Sequence, residues 1–190
     1  MTDAVQTKLI TADEYFASYP ETMLPMELFH GEVIMSPALS DDHQYILSNL
    51  HIPMGLFVRQ HELGRVCLSP TDLVLSKKLV FQPDLFFVAK ESTRCILKEV
   101  RWYGAPDLCV EIISPGSGRR DRVDKFALYA QYGVREYWIV DAAERFIEVY
   151  ILEGNDFKRQ GAYTESETFS STALAGLTVS VKEIFPQEGK

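Results

Sequence analysis

The run Leu108-Cys109-Val110-Glu111-Ile112-Ile113 constrains this chain more than any other stretch. It is apolar throughout except at Glu111. A strand of that composition turns neither face to water and belongs in an α/β sheet covered by helices. Glu111 is the exception, and a carboxylate inside a core strand is costly to bury without a specific partner. A second carboxylate of the same kind is Asp84, where Gln82-Pro83-Asp84 opens the apolar run Leu85-Phe86-Phe87-Val88. Two such carboxylates, on strands that could be neighbours, point to a divalent-cation site and so to a metal-dependent hydrolase.

The rest of the chain punctuates itself. Thr11-Ala12-Asp13-Glu14 has capping-box spacing and predicts a short helix through about Phe16. Met26 to Met35 reads as a strand broken by a turn or bulge at Gly31, ending at Ser36-Pro37. Asp41 to about Glu62 reads as a helix with an apolar face of Ile46, Leu50, Met54, Leu56 and Phe57, kinked at Pro53. Arg65 to Leu68, Thr71 to Ser76, Leu79 to Phe81 and Leu85 to Val88 are short strands. After Ser114-Pro115-Gly116 comes a helix over Arg119 to Tyr132, closed by Gly133. Glu136 to Val140 and Phe146 to Leu152 form a hairpin through Ala142-Ala143-Glu144, edge strands and loops follow to Phe169, and Val179 to Phe185 is a last short helix. Strand, helix, strand in the middle implies a mixed α/β sheet with helices on its faces.

The 190 residues suit one domain, spanning 1–190 with a flexible end over 1–10, long enough to bury a core. No apolar run is long enough for a membrane helix, and the first ten residues are too polar for a secretory signal. Cys67, Cys95 and Cys109 are scattered and odd in number, against a disulfide framework or a cysteine zinc site, so a cytoplasmic location is expected. Nineteen basic against 27 acidic residues leave a charge of −8, which counts against non-specific binding to nucleic acid. Gly116 to Arg122 is locally basic.

Each candidate residue also has a plain reading. Asp84 could be a turn aspartate accepting backbone N–H bonds, and Glu111 a strand glutamate paired with an arginine. Lys125 lies one helical turn from both Asp121 and Tyr129, which suits either a site or an exposed Asp121–Lys125 pair worth a few tenths of a kcal/mol. Glu27 and Glu32 would face opposite sides of a regular strand, so at most one addresses a given site. Trp138 reads as core. His30, His51 and His61 have no metal-ligand spacing, and no nucleophile elbow, P-loop or dinucleotide fingerprint is present.

Taken in order, Glu27-Leu28-Phe29-His30-Gly31-Glu32, Met35-Ser36-Pro37 with His43, Gln82-Pro83-Asp84-Leu85, Ala105-Pro106-Asp107 through Pro115, Asp121 to Lys125, Tyr129, Gly133-Val134 and Glu136 to Asp141 resemble the PD-(D/E)xK nuclease superfamily. The likeness is closest to its Uma-type branch and covers about Thr11 to Leu152. The superfamily lysine falls two residues after the second acid, where this chain has Ile113; Lys125 is the position that matches a lysine moved to the next helix. The resemblance implies a restriction-endonuclease-like fold, a central four- or five-stranded mixed β-sheet flanked by helices. It also implies a Mg²⁺- or Mn²⁺-dependent site cutting phosphodiester bonds in DNA. Asp84, Glu111 and the Ile112 carbonyl would hold the ion, Glu27 would add a ligand, and Lys125 would act on the attacked phosphate. His43 and Gln82 would support them. By the same analogy the protein is a homodimer, with Tyr137 to Val140 and Phe146 to Leu152 offering an exposed edge.

Two other readings compete. A nuclease fold that no longer cuts would act as a binding or regulatory module, which Ile113 and the charge of −8 favour. Two carboxylates acting as general acid and base, as in glycoside hydrolysis, would work in excess chelator, but no array of sugar-binding aromatics is visible.

Overall fold

The computed structural model describes residues 9–19, 25–35, 39–113 and 120–186. Two six-stranded mixed sheets lie against each other, with helices outside them. The first has the order β12-β11-β10-β9-β6-β3. Its strands are β3 (Gly64–Leu68), β6 (Leu85–Ala89), β9 (Leu108–Ile113), β10 (Glu136–Asp141), β11 (Phe146–Glu153) and β12 (Asp156–Thr164). The second has the order β2-β1-β5-β4-β8-β7. It is built from β1 (Met26–Phe29), β2 (Glu32–Met35), β4 (Leu73–Ser76), β5 (Leu79–Phe81), β7 (Cys95–Lys98) and β8 (Arg101–Gly104). A small pair, β13 (Thr168–Ser170) and β14 (Thr178–Ser180), completes the strands.

The mixed α/β architecture with flanking helices is the expected one, but the central sheet has six strands rather than four or five, and a second sheet of equal size accompanies it. Two of the extra strands, β7 and β8, were not legible: Ile96 and Leu97 on β7 are exposed, so they give no buried periodicity. The sheet edge expected from the sequence is not formed by the two segments that were to carry it. Tyr137 to Val140 and Phe146 to Leu152 fall in β10 and β11, which are interior, because the polar strand β12 pairs along the whole of β11.

All six residues of β9 are buried. The strand alternates between two cores, as period-2 geometry requires. Leu108, Val110 and Ile112 pack with Leu85, Phe87, Trp138 and Val140 against the helix α2 (Asp41–Gln60). Cys109 and Ile113 pack with Phe86, Val88, Tyr137 and Ile139 against the second sheet and the helix α3 (Phe126–Tyr132). On the far side of the second sheet, Tyr15 of α1 (Ala12–Ser18) covers Leu28, Val74 and Val80. Each such apolar side chain stabilises the fold by about 1.5–3 kcal/mol relative to exposure.

Local signals account for most boundaries. The capping box is formed, with Thr11 and Glu14 bonding each other's backbone N–H. Ser40 caps α2 through His43 N–H. Pro53 lies inside α2, which continues through it. Leu56, expected on the apolar face, is exposed; Leu47 and Val58 complete that face instead. Gly133 ends α3 in the left-handed region at φ 87, the conformation for which glycine is favoured at a helix C-terminus. β9 and β10 run parallel, which requires the crossover that α3 provides. Val181–Glu183 form a 3₁₀ turn, shorter than the expected last helix. Ile10 N–H bonds Gly31 C=O. The strand ends expected at Ser36-Pro37 and Ser114-Pro115-Gly116, the basic stretch from Gly116 to Arg119, and most of the expected flexible end lie outside the described residues.

Candidate active site

Leu85 pairs with Val110 in the antiparallel β6–β9 ladder, so the next pair along, Asp84 and Glu111, stands at one level at the end of β6. Pro83 restricts Gln82 to extended backbone and carries Asp84 to the strand entrance. There Asp84 Oδ2 accepts the Ile112 N–H at 2.7 Å and lies 3.1 Å from His43 Nε2. The aspartate thus stands in for a ladder partner that β6 no longer supplies. A strand residue sends its N–H and C=O toward the same neighbour, so the Ile112 carbonyl is directed to the Asp84 side as well.

Glu111 shares the parity of Cys109 and Ile113 and enters the core between the two sheets. Its Oε1 accepts from Lys125 Nζ at 2.9 Å and from the Tyr129 hydroxyl at 2.8 Å. Lys125 ends a π-helical segment, Arg120–Lys125, that leads into α3. From there it reaches Glu27 Oε1 at 2.8 Å and Asp121 Oδ1 at 3.7 Å. The Asp121–Lys125 pair is therefore buried, not an exposed surface pair, and the partner of Glu111 is a lysine, not an arginine. Glu27 arrives from β1 on the other sheet, and its Oε1 also accepts the Gln82 N–H at 2.9 Å. Glu32, by contrast, is exposed, as the alternation of the hairpin requires. Gln82 holds its turn by donating from Nε2 to Asp72 Oδ1 at 2.9 Å and accepting the Met26 N–H at 3.3 Å.

The electrostatics follow from burial. Desolvation pushes the Glu111 carboxyl well above its ordinary range; Lys125 pulls it back, while Asp121, Asp84 and Glu27 push it further. Burial works against the Lys125 ammonium, but Glu111, Glu27 and Asp121 outweigh it and hold its pKa well above the ordinary value. Lys125 therefore stays charged. Burial, then the Glu111 charge, also raises the Tyr129 hydroxyl, which keeps its proton and remains a donor.

Among the described residues, protein donors reach only Oδ2 of Asp84 and Oε1 of Glu111. Asp84 Oδ1 and Glu111 Oε2 are left for another partner. Two carboxylates on facing residues of the ladder, with the Ile112 carbonyl on the Asp84 side, offer the hard oxygen donors that Mg²⁺ or Mn²⁺ takes, and Mg²⁺ binds through one or two carboxylates while keeping several waters. Among the described residues no three His, Cys, Asp or Glu side chains come together to hold a metal ion, and Glu27, expected to add a ligand, turns its Oε1 to Lys125 and the Gln82 N–H, so a site here rests on Asp84 and Glu111. The residues present fit a hydrated hard cation.

The structure brings together all seven residues singled out from sequence: Asp84, Glu111, Ile112, Lys125, Glu27, His43 and Gln82. Two more join them. Asp121 and Tyr129 had been placed beside Lys125 by helical spacing, but not against Glu111, because nothing local to the helix says which strand it covers.

The family model described as "Putative restriction endonuclease" (Uma2) matches residues 12–182. The chain belongs to this family. It is also 26% identical over 163 residues to a protein of Synechocystis sp. described as uncharacterized, covering 84% of this chain and 88% of that one. Among solved structures it is similar to a "putative nuclease belonging to DUF820" from Anabaena variabilis, with a TM-score of 0.73 and 23% identity over 93% of this chain and 97% of the other. That likeness is one of fold. The family places the protein among nuclease-like proteins, and no helix of the described residues is long and apolar enough to cross a membrane.

Proposed function

We propose that this protein is a Mg²⁺- or Mn²⁺-dependent endonuclease that hydrolyses phosphodiester bonds in DNA, acting in the cytoplasm as a homodimer of single-domain chains. One observation carries the reading: Asp84 and Glu111 stand side by side with one oxygen each fixed by protein donors and one each uncommitted. A purely structural carboxylate has no reason to leave half its capacity unused in a core.

A bound divalent cation would supply Lewis-acid polarisation of the phosphodiester and a water acidified for attack. The chain's own residues do the rest. Ile112 N–H and His43 fix the rotamer of Asp84, and Tyr129 and Lys125 fix that of Glu111. The Lys125 ammonium lies where it can offset negative charge growing on the attacked phosphate. Glu27 holds the lysine to this position and ties it to the Gln82-Pro83-Asp84 turn. Lys125 does this from a helix that packs beside the end of β9, which makes Ile113 free to be apolar.

The alternative, a silent nuclease fold used for binding, has one observation in its favour. Lys125 bridges Glu27 and Glu111 within hydrogen-bond distance and so compensates them without a metal. Incubating the protein with supercoiled plasmid and a single-stranded oligonucleotide in Mg²⁺ and Mn²⁺ separates the two. The nuclease reading expects nicking or linearisation by wild type, abolished by chelator and in Asp84→Asn. Cutting that survives chelator, or equal cutting by the variant, sinks it.

A further inference from the structure

The helix α2 is apolar on two opposite faces, and only one of them is used. His43, Ile46, Leu47, Leu50, Met54 and Val58 face the core. On the far side, at 3.6 residues per turn, Tyr45, Ile52 and Leu56 fall on one line and are 44%, 54% and 52% exposed. A helix with apolar residues on both faces is ordinarily covered on both. With exposed Arg59, and with half-buried Asn49 at the edge of the face where its Nδ2 donates to the Ile184 carbonyl at 3.1 Å, the line reads Tyr45, Asn49, Ile52, Leu56, Arg59, alternating steps of four and three residues. That alternation is the seam spacing by which one helix packs lengthwise along another.

The charges on this face say what the other helix is. Asp41 and Asp42 are exposed at the N-terminal end of α2 and Arg59 is exposed at its C-terminal end. A second α2 laid parallel would set Asp42 beside Asp42 and Arg59 beside Arg59. Laid antiparallel about a two-fold axis between Leu50 and His51, it sets Asp42 beside Arg59, Tyr45 beside Leu56 and Asn49 beside Ile52, each pair twice. An isologous interface must be self-complementary in this way, and here both the apolar and the charged positions are. Antiparallel helix dipoles add a small favourable contribution of the same sign.

We propose that the outer face of α2 is a homodimer interface, in which two copies of this chain pair α2 against antiparallel α2. From Asp42 to Arg59 the seam runs about 26 Å along the 20-residue helix. It lies opposite the face that carries His43 to Asp84, so pairing does not cover that face. The proposal gives the dimer of the functional reading a definite surface, yet it stands on separate residues: a monomer that cuts plasmid would overturn it and leave the nuclease reading intact.

The test is solution mass by sedimentation equilibrium or light scattering over a concentration series. Wild type is expected to reach twice 21.6 kDa, and Ile52→Glu to stay at 21.6 kDa with an unchanged far-ultraviolet circular dichroism spectrum, since the residue is exposed. Asp42→Arg and Arg59→Asp each place like charges together and are expected to loosen the pair about tenfold. The double variant Asp42→Arg/Arg59→Asp restores the opposite-charge pairs and is expected to recover most of that loss. Wild type at 21.6 kDa throughout, a dimer that persists in Ile52→Glu, or a double variant weaker than both single ones overturns the proposal.

Discussion

Two buried glutamates on neighbouring parallel strands, one at the candidate site and one away from it, are held in different ways. Glu136 on β10 is 1% exposed and Glu111 on β9 is 4% exposed. Glu136 is closed by neutral donors on both oxygens: Trp138 Nε1 at 2.7 Å, Ser171 Oγ at 3.0 Å and Ala173 N–H at 2.6 Å. It pins the 171–173 segment to the sheet and has nothing left to give. Glu111 spends one oxygen on Lys125 and Tyr129, shares that lysine with Glu27 and Asp121, and has Asp84 beside it. Equal burial therefore carries opposite meanings, decided by whether the donors are neutral and complete or charged and shared.

The largest expected effect comes from Lys125. Lys125→Met removes the ammonium that Glu27, Glu111 and Asp121 share in the core and is expected to lower unfolding free energy by about 3–5 kcal/mol, read by urea denaturation. Millimolar Mg²⁺ should restore part of that stability, because it enters the same carboxylate cluster. No Mg²⁺ effect on the variant would argue that the cluster is structural, like Glu136.

Glu136→Ala strips three donors of their acceptor and is expected to cost about 3 kcal/mol in the same assay. It should leave plasmid cleavage per folded molecule unchanged. A loss of cleavage in a folded Glu136→Ala protein would erase the contrast between the two glutamates.

A smaller effect is expected for Tyr129→Phe. It removes one hydrogen bond to a charged acceptor, about 1.5 kcal/mol, and frees Glu111 to rotate. Cation affinity should fall more than stability does. Equal insensitivity of both would show that Lys125 alone orients Glu111.

The smallest effect is a pH dependence. Burial raises the Glu136 carboxyl above its ordinary value of 4.5, while the Ala173 N–H, Trp138 and Ser171 pull it back. The folded state then binds more protons than the unfolded one between 4.5 and the raised value, so this group's contribution is full below 4.5 and is lost as pH rises through the folded pKa. Wild type should therefore lose stability relative to Glu136→Gln as pH rises from 4.5, measured by thermal unfolding at successive pH values. A flat difference would mean that the three donors fully offset burial.

What the sequence disclosed was local. The Thr11–Glu14 capping box, the doubly buried β9, the Gly133 stop and the hairpin after Glu136 depend on near neighbours, and each is in the structure. The same holds for Asp121, Lys125 and Tyr129, which one helical period aligns. The sequence did not disclose that Glu27, from the other sheet, meets Lys125, because no local rule fixes how two sheets stack. Nor did it disclose that Leu56 points outward, since Leu56 and Val58 differ only in which side of α2 the sheet covers. The edge expected at β10 and β11 failed because the edge strands expected after Leu152 carry no local signal of which neighbour they cover, and the polar β12 pairs along the whole of β11.

The measurement closest to the central claim is calorimetric titration of Mn²⁺ into wild type, Asp84→Asn, Glu111→Gln and Glu136→Gln. Wild type and Glu136→Gln are expected to bind with the same affinity, and each of the other two to lose at least tenfold. Absence of binding by folded wild type, or affinity unchanged in Asp84→Asn and Glu111→Gln, would contradict that claim.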